Sequence, residues 1–201
     1  MELMPDRAQL EIFIDALFRH AFPAAVIAKE ERDEDQYVSL RIFLDNSQGP
    51  PIGRVGVPLI AGVKALVDRA ESGATKAANH DRPAVFAPPV AVFNSREDAK
   101  ESDLVYGVAI SAECDQHPQQ ARQKLEAILG PATVVVKSGG VWVNGGDAPE
   151  DKLHLHWRLK QLAFGAAELT KLKQARTLAC AIIGGDPTNN PIVHPIRWPG
   201  S

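Results

Sequence analysis

VYGVAISAECDQHP (105–118), GPATVVVKSGG (130–140) and KLHLHWRL (152–159) are the stretches on which the reading of this chain turns. The first is apolar or small from Val105 to Ala112 and becomes acidic at its end, as a buried strand does where it leaves the core. Glu113 and Asp115 stand two apart, so continued strand geometry projects both carboxylates from one face. Adjacent carboxylates repel unless a cation sits between them. The third stretch alternates: Leu153, Leu155, Trp157 and Leu159 take one face, and His154, His156, Arg158 and Lys160 the other. One face reads as core and the opposite one as a site.

Working outward, Pro118 suits the first position of a helix whose apolar side is Leu125, Ile128 and Leu129, with Gly130 as its C-terminal cap. A strand is predicted over 133–137, broken by Ser138-Gly139-Gly140, and a turn over 144–147 leads into the histidine strand. A last helix over about 166–183 is predicted to bury Leu169, Leu172, Ala175, Leu178 and Ile182 before Gly184-Gly185-Asp186 stops it. Upstream, Leu10, Phe13, Ile14, Leu17 and Phe18 recur at helical spacing, and Phe22-Pro23 is read as the end of that helix. A short strand over 24–28, a solvated turn over 29–35 and a strand over 37–44 follow, the two strands forming a hairpin. The stretch 45–53 is a loop by composition, 59–70 a helix stopped at Ser72-Gly73, 74–90 loop-rich, and 90–93 an edge strand.

Composition bounds the function. The chain has 201 residues, 45% hydrophobic and 23% charged, enough to bury a sizeable core. Its net charge of -3 restricts any nucleic-acid contact to a local basic groove, and 6% aromatics are too few for an extended base-stacking platform. Two cysteines make no disulfide framework, and the start has neither a signal peptide nor a membrane-spanning run, so a cytoplasmic setting without membrane contact is expected.

Three carboxylates at element ends, Glu113, Asp115 and Asp186, are candidate ligands for one or two divalent cations. His154, His156 and Arg158 beside a Gly-rich loop suit a phosphate chain. A rival set is zinc: Cys114, His117, His154 and His156 have ligand types and spacing for a zinc-dependent hydrolase.

The order of these pieces resembles the archaeo-eukaryotic primase superfamily, in particular the primase-polymerase domains of plasmid and phage replication proteins. The matching motifs are an acidic pair after an apolar strand, a strand ending in SGG, then LHxHWRL, GGD and R-x-PGS. The resemblance implies an α+β fold, with an antiparallel or mixed RRM-like sheet, helices packed mainly on one face, and an N-terminal α/β layer. It implies one domain over 1–201, with 1–103 as that layer and 104–201 as the core carrying the motifs. By the same resemblance Glu113, Asp115 and Asp186 bind catalytic Mg²⁺ or Mn²⁺. Ser138, Gly139, His154, His156, Arg158 and Arg197 bind the nucleotide, with His154 ahead of His156. The implied activity is template-directed nucleotidyl transfer, by a DNA primase or polymerase, on nucleoside triphosphates and a single-stranded DNA template. The alternative within the same fold is a DNA-binding module without catalysis. The first acid is Glu where the family has Asp, and roughly fifteen residues separate Ser138 from His154 where the family has them close. The family's lysine after Pro-Gly-Ser lies beyond Ser201, so a longer parent protein, with a helicase domain as one possible continuation, is the expectation. Arg158, Lys160, Lys171 and Lys173 are the cations expected to hold the template.

Overall fold

The computed structural model of the protein describes residues 4–45, 49–144 and 148–200. Strands β1 (Tyr37–Leu44), β2 (Gly53–Pro58), β3 (Ala84–Phe86), β4 (Ala91–Phe93), β5 (Leu104–Cys114), β6 (Val134–Trp142) and β7 (Glu150–Phe164) form one antiparallel sheet. Their order is β2-β1-β4-β5-β7-β6, with β3 pairing β1. Both halves of the chain supply strands to it, so the N-terminal hundred residues extend the same sheet. Sequence-adjacent strands with antiparallel registers make the fold α+β.

Helices cover both faces. On one, α1 (Arg7–Phe18), α2 (Ala21–Arg32) and α3 (Gly62–Ala78) enclose a core of Leu10, Phe13, Ile14, Leu17, Leu66 and Val67 against Val108, Ala109 and Val136 of the sheet. On the other, α4 (Pro118–Leu129) and α5 (Gly165–Ile183) pack Ala121, Leu125 and Ala179 on Ala112, Cys114, Leu153, Leu155 and Trp157. The sequence resemblance led us to expect helices mainly on one face. β7 presents an apolar row to α4 and α5 and its second row largely to α1, so both faces are covered. None of the described helices is long and apolar enough to cross a membrane.

Several local readings are corrected. Residues 24–28 are part of α2, not a strand. Pro23 is tolerated because it sits in the first turn, where its missing N–H has no intrahelical partner. β1 therefore hairpins with β2 instead, pairing Leu40 with Val55. Ser72 and Gly73 lie inside α3, which runs on to Ala78. β4 is central, between β1 and β5. β6 passes through Ser138-Gly139-Gly140 with a register shift between Lys137 and Val141 and continues to Trp142. In α5 the buried side chains are Leu172, Arg176 and Ala179, while Leu178 is 64% exposed. The expected turn at 144–147 falls mostly outside the described residues.

The C-terminal stretch is held from beneath. Trp198 is 1% exposed, with its ring 4.9 Å from Phe13, 5.7 Å from Phe18 and 5.8 Å from Phe86, and its indole N–H donates to the Pro88 carbonyl at 3.1 Å. Gly200 (φ +72) lies so close to Asp6 that a Cβ there would come within 2.6 Å of the Asp6 carbonyl oxygen. That anchorage fixes Arg197.

Candidate active site

β5 and β7 are paired so that Glu113 faces His154 and Ser111 faces His156. Paired residues share a sheet face, so Glu113, His154 and, on β6, Val136 lie in one row. Asp115 leaves the end of β5 toward Lys152, whose Nζ is 3.4 Å from its Oδ1.

Glu113 is the most constrained of the acids. Its Oε2 accepts from the Asn189 side-chain amide at 3.1 Å, and its Oε1 is 3.1 Å from His194 Nε2. Burial pushes this carboxyl up. The hydrogen bond from His194 and the neighbouring His154 and Arg176 outweigh that effect, and the group sits below the usual glutamate range. Arg176 comes from α5. It is 4% exposed, and burial pushes its guanidinium down to about 10. It donates to the carbonyls of Asn189 (2.9 Å) and Asn190 (3.0 Å), which fixes the turn that carries Asn189.

Asp186 follows the left-handed Gly184 that ends α5 and caps the short helix Pro187–Asn189, accepting from the Thr188 N–H at 2.9 Å. Those Thr188 bonds hold its carboxyl below the ordinary aspartate range. It lines a narrow cleft of about 10 Å³ together with Ser111, Glu113, Arg176, Cys180 and Asn189.

The second half of the site surrounds Arg197. Its Nη1 donates to the Ser138 carbonyl at 2.6 Å, and its own carbonyl is 3.4 Å from His154 Nδ1. Gly139 has φ +81, and a Cβ there would come 3.1 Å from Arg197 Nη1, so the glycine supplies both the turn and the room for the guanidinium. His154 is 7% exposed; burial lowers its pKa while Glu113 pulls it the other way. Ser138, Gly139, His154 and Arg197 are thus brought together next to Glu113.

Two expected nucleotide contacts lie elsewhere. His156 is 0% exposed, bonded through Nδ1 to Ser111 Oγ at 2.9 Å and edge-on to Phe13 at 5.3 Å. Arg158 donates from Nη1 to the Ala16 carbonyl at 3.0 Å, near the end of α1. Both are held by α1, which the alternation of β7 does not reveal. The zinc set is not assembled. Cys114 points to the opposite face, where burial pushes its thiol up to about 12, and the ring of His117 lies 4.1 Å from that of Trp142. Sequence reasoning missed Asn189, His194, Arg176 and Lys152. Lys152 opens the quoted stretch 152–159 without marking itself as a partner of Asp115, the other three lie outside the quoted stretches, and the turn after Asp186 brings Asn189 and His194 onto Glu113.

The sequence resemblance implies a divalent cation, and the acids suit one in donor type, since carboxylate oxygens are hard ligands. Their placement is a different matter. Among the described residues no group of three His, Cys, Asp or Glu side chains is arranged to share an ion. Glu113 is taken by Asn189 and His194, Asp115 faces Lys152, and Asp186 caps its own turn. A cation would have to exchange with those partners.

The structure is similar to the AEP domain of the cyanophage S-2L primase-polymerase (PrimPol), with a TM-score of 0.52 and 12% sequence identity over 97% of this chain and 82% of that one. The chain therefore has the archaeo-eukaryotic primase-polymerase fold. No protein-family model and no curated protein sequence matches it.

Proposed function

We propose that the protein is a template-directed nucleotidyltransferase, a DNA primase or polymerase, working at the Glu113–His154 row. The observation that carries this reading is the juxtaposition, on a primase-polymerase fold, of a half-buried acid facing a histidine and an arginine seated over a glycine turn. Glu113 and Asp115, with Asp186 across the cleft, are the residues that would hold Mg²⁺ or Mn²⁺. When bound, such an ion neutralises phosphate charge and acidifies a 3′-hydroxyl. The chain's own residues do the rest. His154 donates a hydrogen bond to a phosphate oxygen, and Arg197 with the Ser138–Gly139 turn binds the triphosphate. Phosphoryl transfer needs position and charge neutralisation more than covalent participation, and this set supplies both.

Primer extension by the purified protein with Mn²⁺ or Mg²⁺ tests the reading. The Glu113→Gln/Asp115→Asn double variant should lose at least about a hundredfold in rate without unfolding. Undiminished extension by that variant would refute the assignment. The occupation of Glu113 by Asn189 and His194 favours a second reading, a nucleic-acid-binding module of the same fold without catalysis. It predicts DNA binding by the wild type with no incorporation at any metal concentration.

A further inference from the structure

Three of the four cations expected from the sequence to hold the template, all but Lys160, are engaged elsewhere. Lys171 pairs with Glu168 at 2.8 Å, Lys173 with Glu101 at 2.8 Å, and Arg158 with the α1 carbonyl. Lys171 and Lys173 are moreover carried by α5, on the sheet face opposite the Glu113–His154 row.

A different set of cations is free. Arg69, Lys76 and Arg82 are exposed and, among the described residues, have no ion pair. On α3, Arg69, Ser72, Gly73 and Lys76 recur at helical spacing on one side, so the two charges stand about 10 Å apart along the axis with only small residues between them. That side borders a groove of about 150 Å³ between α3 and the β1–β2 hairpin, floored by Leu40, Ile42 and Phe86. No carboxylate lines this groove, and Arg54 of the edge strand β2 adds a cation at its border. A Cβ on Gly73 would come within 2.7 Å of the Phe86 ring, so the glycine lets α3 lie close on the strand.

The groove also leads somewhere. It opens past Lys76 into a wider cleft bordered by Asn79, His80 and Asp81, whose carboxylate lies 2.9 Å from the His80 ring. Arg82 follows, and the carbonyl of Pro83 accepts from the Asp45 N–H at 2.8 Å. The Asp45 carboxylate lies 3.9 Å from Arg197, which is bonded to Ser138 in the candidate active site. Cationic side chains, with Asp81 and Asp45 between them, thus run from the α3 groove to Arg197 in a protein of net charge -3.

We propose that this groove carries the phosphate backbone of a single-stranded DNA template toward Glu113 and His154, with Arg69 and Lys76 as the phosphate contacts. The inference rests on the polymerase reading for the direction of the strand, though not for the binding itself. The test is fluorescence anisotropy with a labelled 20-mer oligothymidylate on the full chain, without metal or nucleotide, over a salt series. The Arg69→Ala/Lys76→Ala variant should bind about tenfold more weakly near 50 mM salt. Its log affinity against log salt should be shallower by about 1.4, two contacts at about 0.7 each on a single strand. Lys171→Ala/Lys173→Ala, on the other face, should leave both quantities within about twofold. All four side chains are exposed, and equal thermal stability will confirm that the variants fold. The inference is overturned if the wild type does not bind, if the α3 variant matches it, or if the α5 variant weakens binding as much. Oligonucleotide binding through the groove without primer extension would remove only the catalytic reading, and extension with an indifferent groove only this one.

Discussion

His154 and His156 stand two residues apart on the same face of one strand, about 7 Å from each other, yet they are different kinds of residue. His156 lies under Phe13 of α1, bonded to Ser111, with its Nε2 unpartnered among the described residues. His154 meets Glu113 and the Arg197 carbonyl, groups delivered by a neighbouring strand and by the C-terminal stretch. What covers a strand face therefore decides its chemistry as much as what the strand displays. Where α1 crosses the sheet, the polar row becomes core, and beyond α1 the same row becomes a site.

The largest effect that could break this contrast is on stability. His156→Ala leaves a cavity beneath Phe13 and should cost about 3 kcal/mol, whereas His154→Ala should cost about 1 kcal/mol or less, both by urea unfolding. The two should also differ in acid. Burial holds His156 well below the ordinary histidine pKa, so between that value and the unfolded one near 6.5 the unfolded chain binds the extra proton. Its contribution is present at neutral pH and is lost as the pH falls below about 6.5, by up to about 1.4 kcal/mol per unit. Burial lowers His154 in the same direction, opposed by Glu113. Replacing His156 by Leu should therefore flatten stability between pH 7 and 5 more than replacing His154 does. Equal flattening would mean that the two sites are equally enclosed.

Much of this was legible in the chain. The alternation of 152–159 gave the strand and its apolar row, Pro118 and Gly130 bounded α4 as predicted, and the motif order pointed to the primase-polymerase fold. The failures share a cause. Pro23 was read as a stop and Gly73 as a terminator by local rules, but a first-turn proline and a glycine pressed on Phe86 are compatible with helix. Arg176 looks like one more polar position of a surface helix. Its burial depends on two carbonyls thirteen and fourteen residues away, which no periodicity encodes. Asn189 reaches Glu113 from the turn that Arg176 holds, and His194 from the stretch just before the buried Trp198.

A smaller effect sharpens the contrast from the functional side. His154→Ala should weaken triphosphate binding by about tenfold, the worth of one hydrogen bond to a charged group. His156→Leu, which keeps the volume under Phe13 filled, should leave binding within about twofold, as read by titration calorimetry with a nucleotide and Mn²⁺. A larger loss at His156 would place the nucleotide on the wrong side of α1.

The smallest effect concerns Arg158, on the same face two residues further along. Its charge and position beside the histidines gave it a nucleotide role in the sequence, but its guanidinium donates to the Ala16 carbonyl. Ala16 lies in the last turn of α1, where carbonyls have no intrahelical donor and the helix end carries partial negative charge. A cation there satisfies one acceptor and opposes the dipole, and Asp15 next to Ala16 adds a favourable charge. Arg158→Met keeps the aliphatic stem and removes only the charge and the hydrogen bond, so it should cost about 1 kcal/mol of stability. Triphosphate affinity should not change, because α1 stands between Arg158 and the turn that carries Ser138 and Arg197. Unchanged stability with a tenfold loss of nucleotide affinity would be the opposite result. It would mean that α1 lifts away to admit the ligand and that the whole polar row of β7, not its outer end alone, belongs to the site.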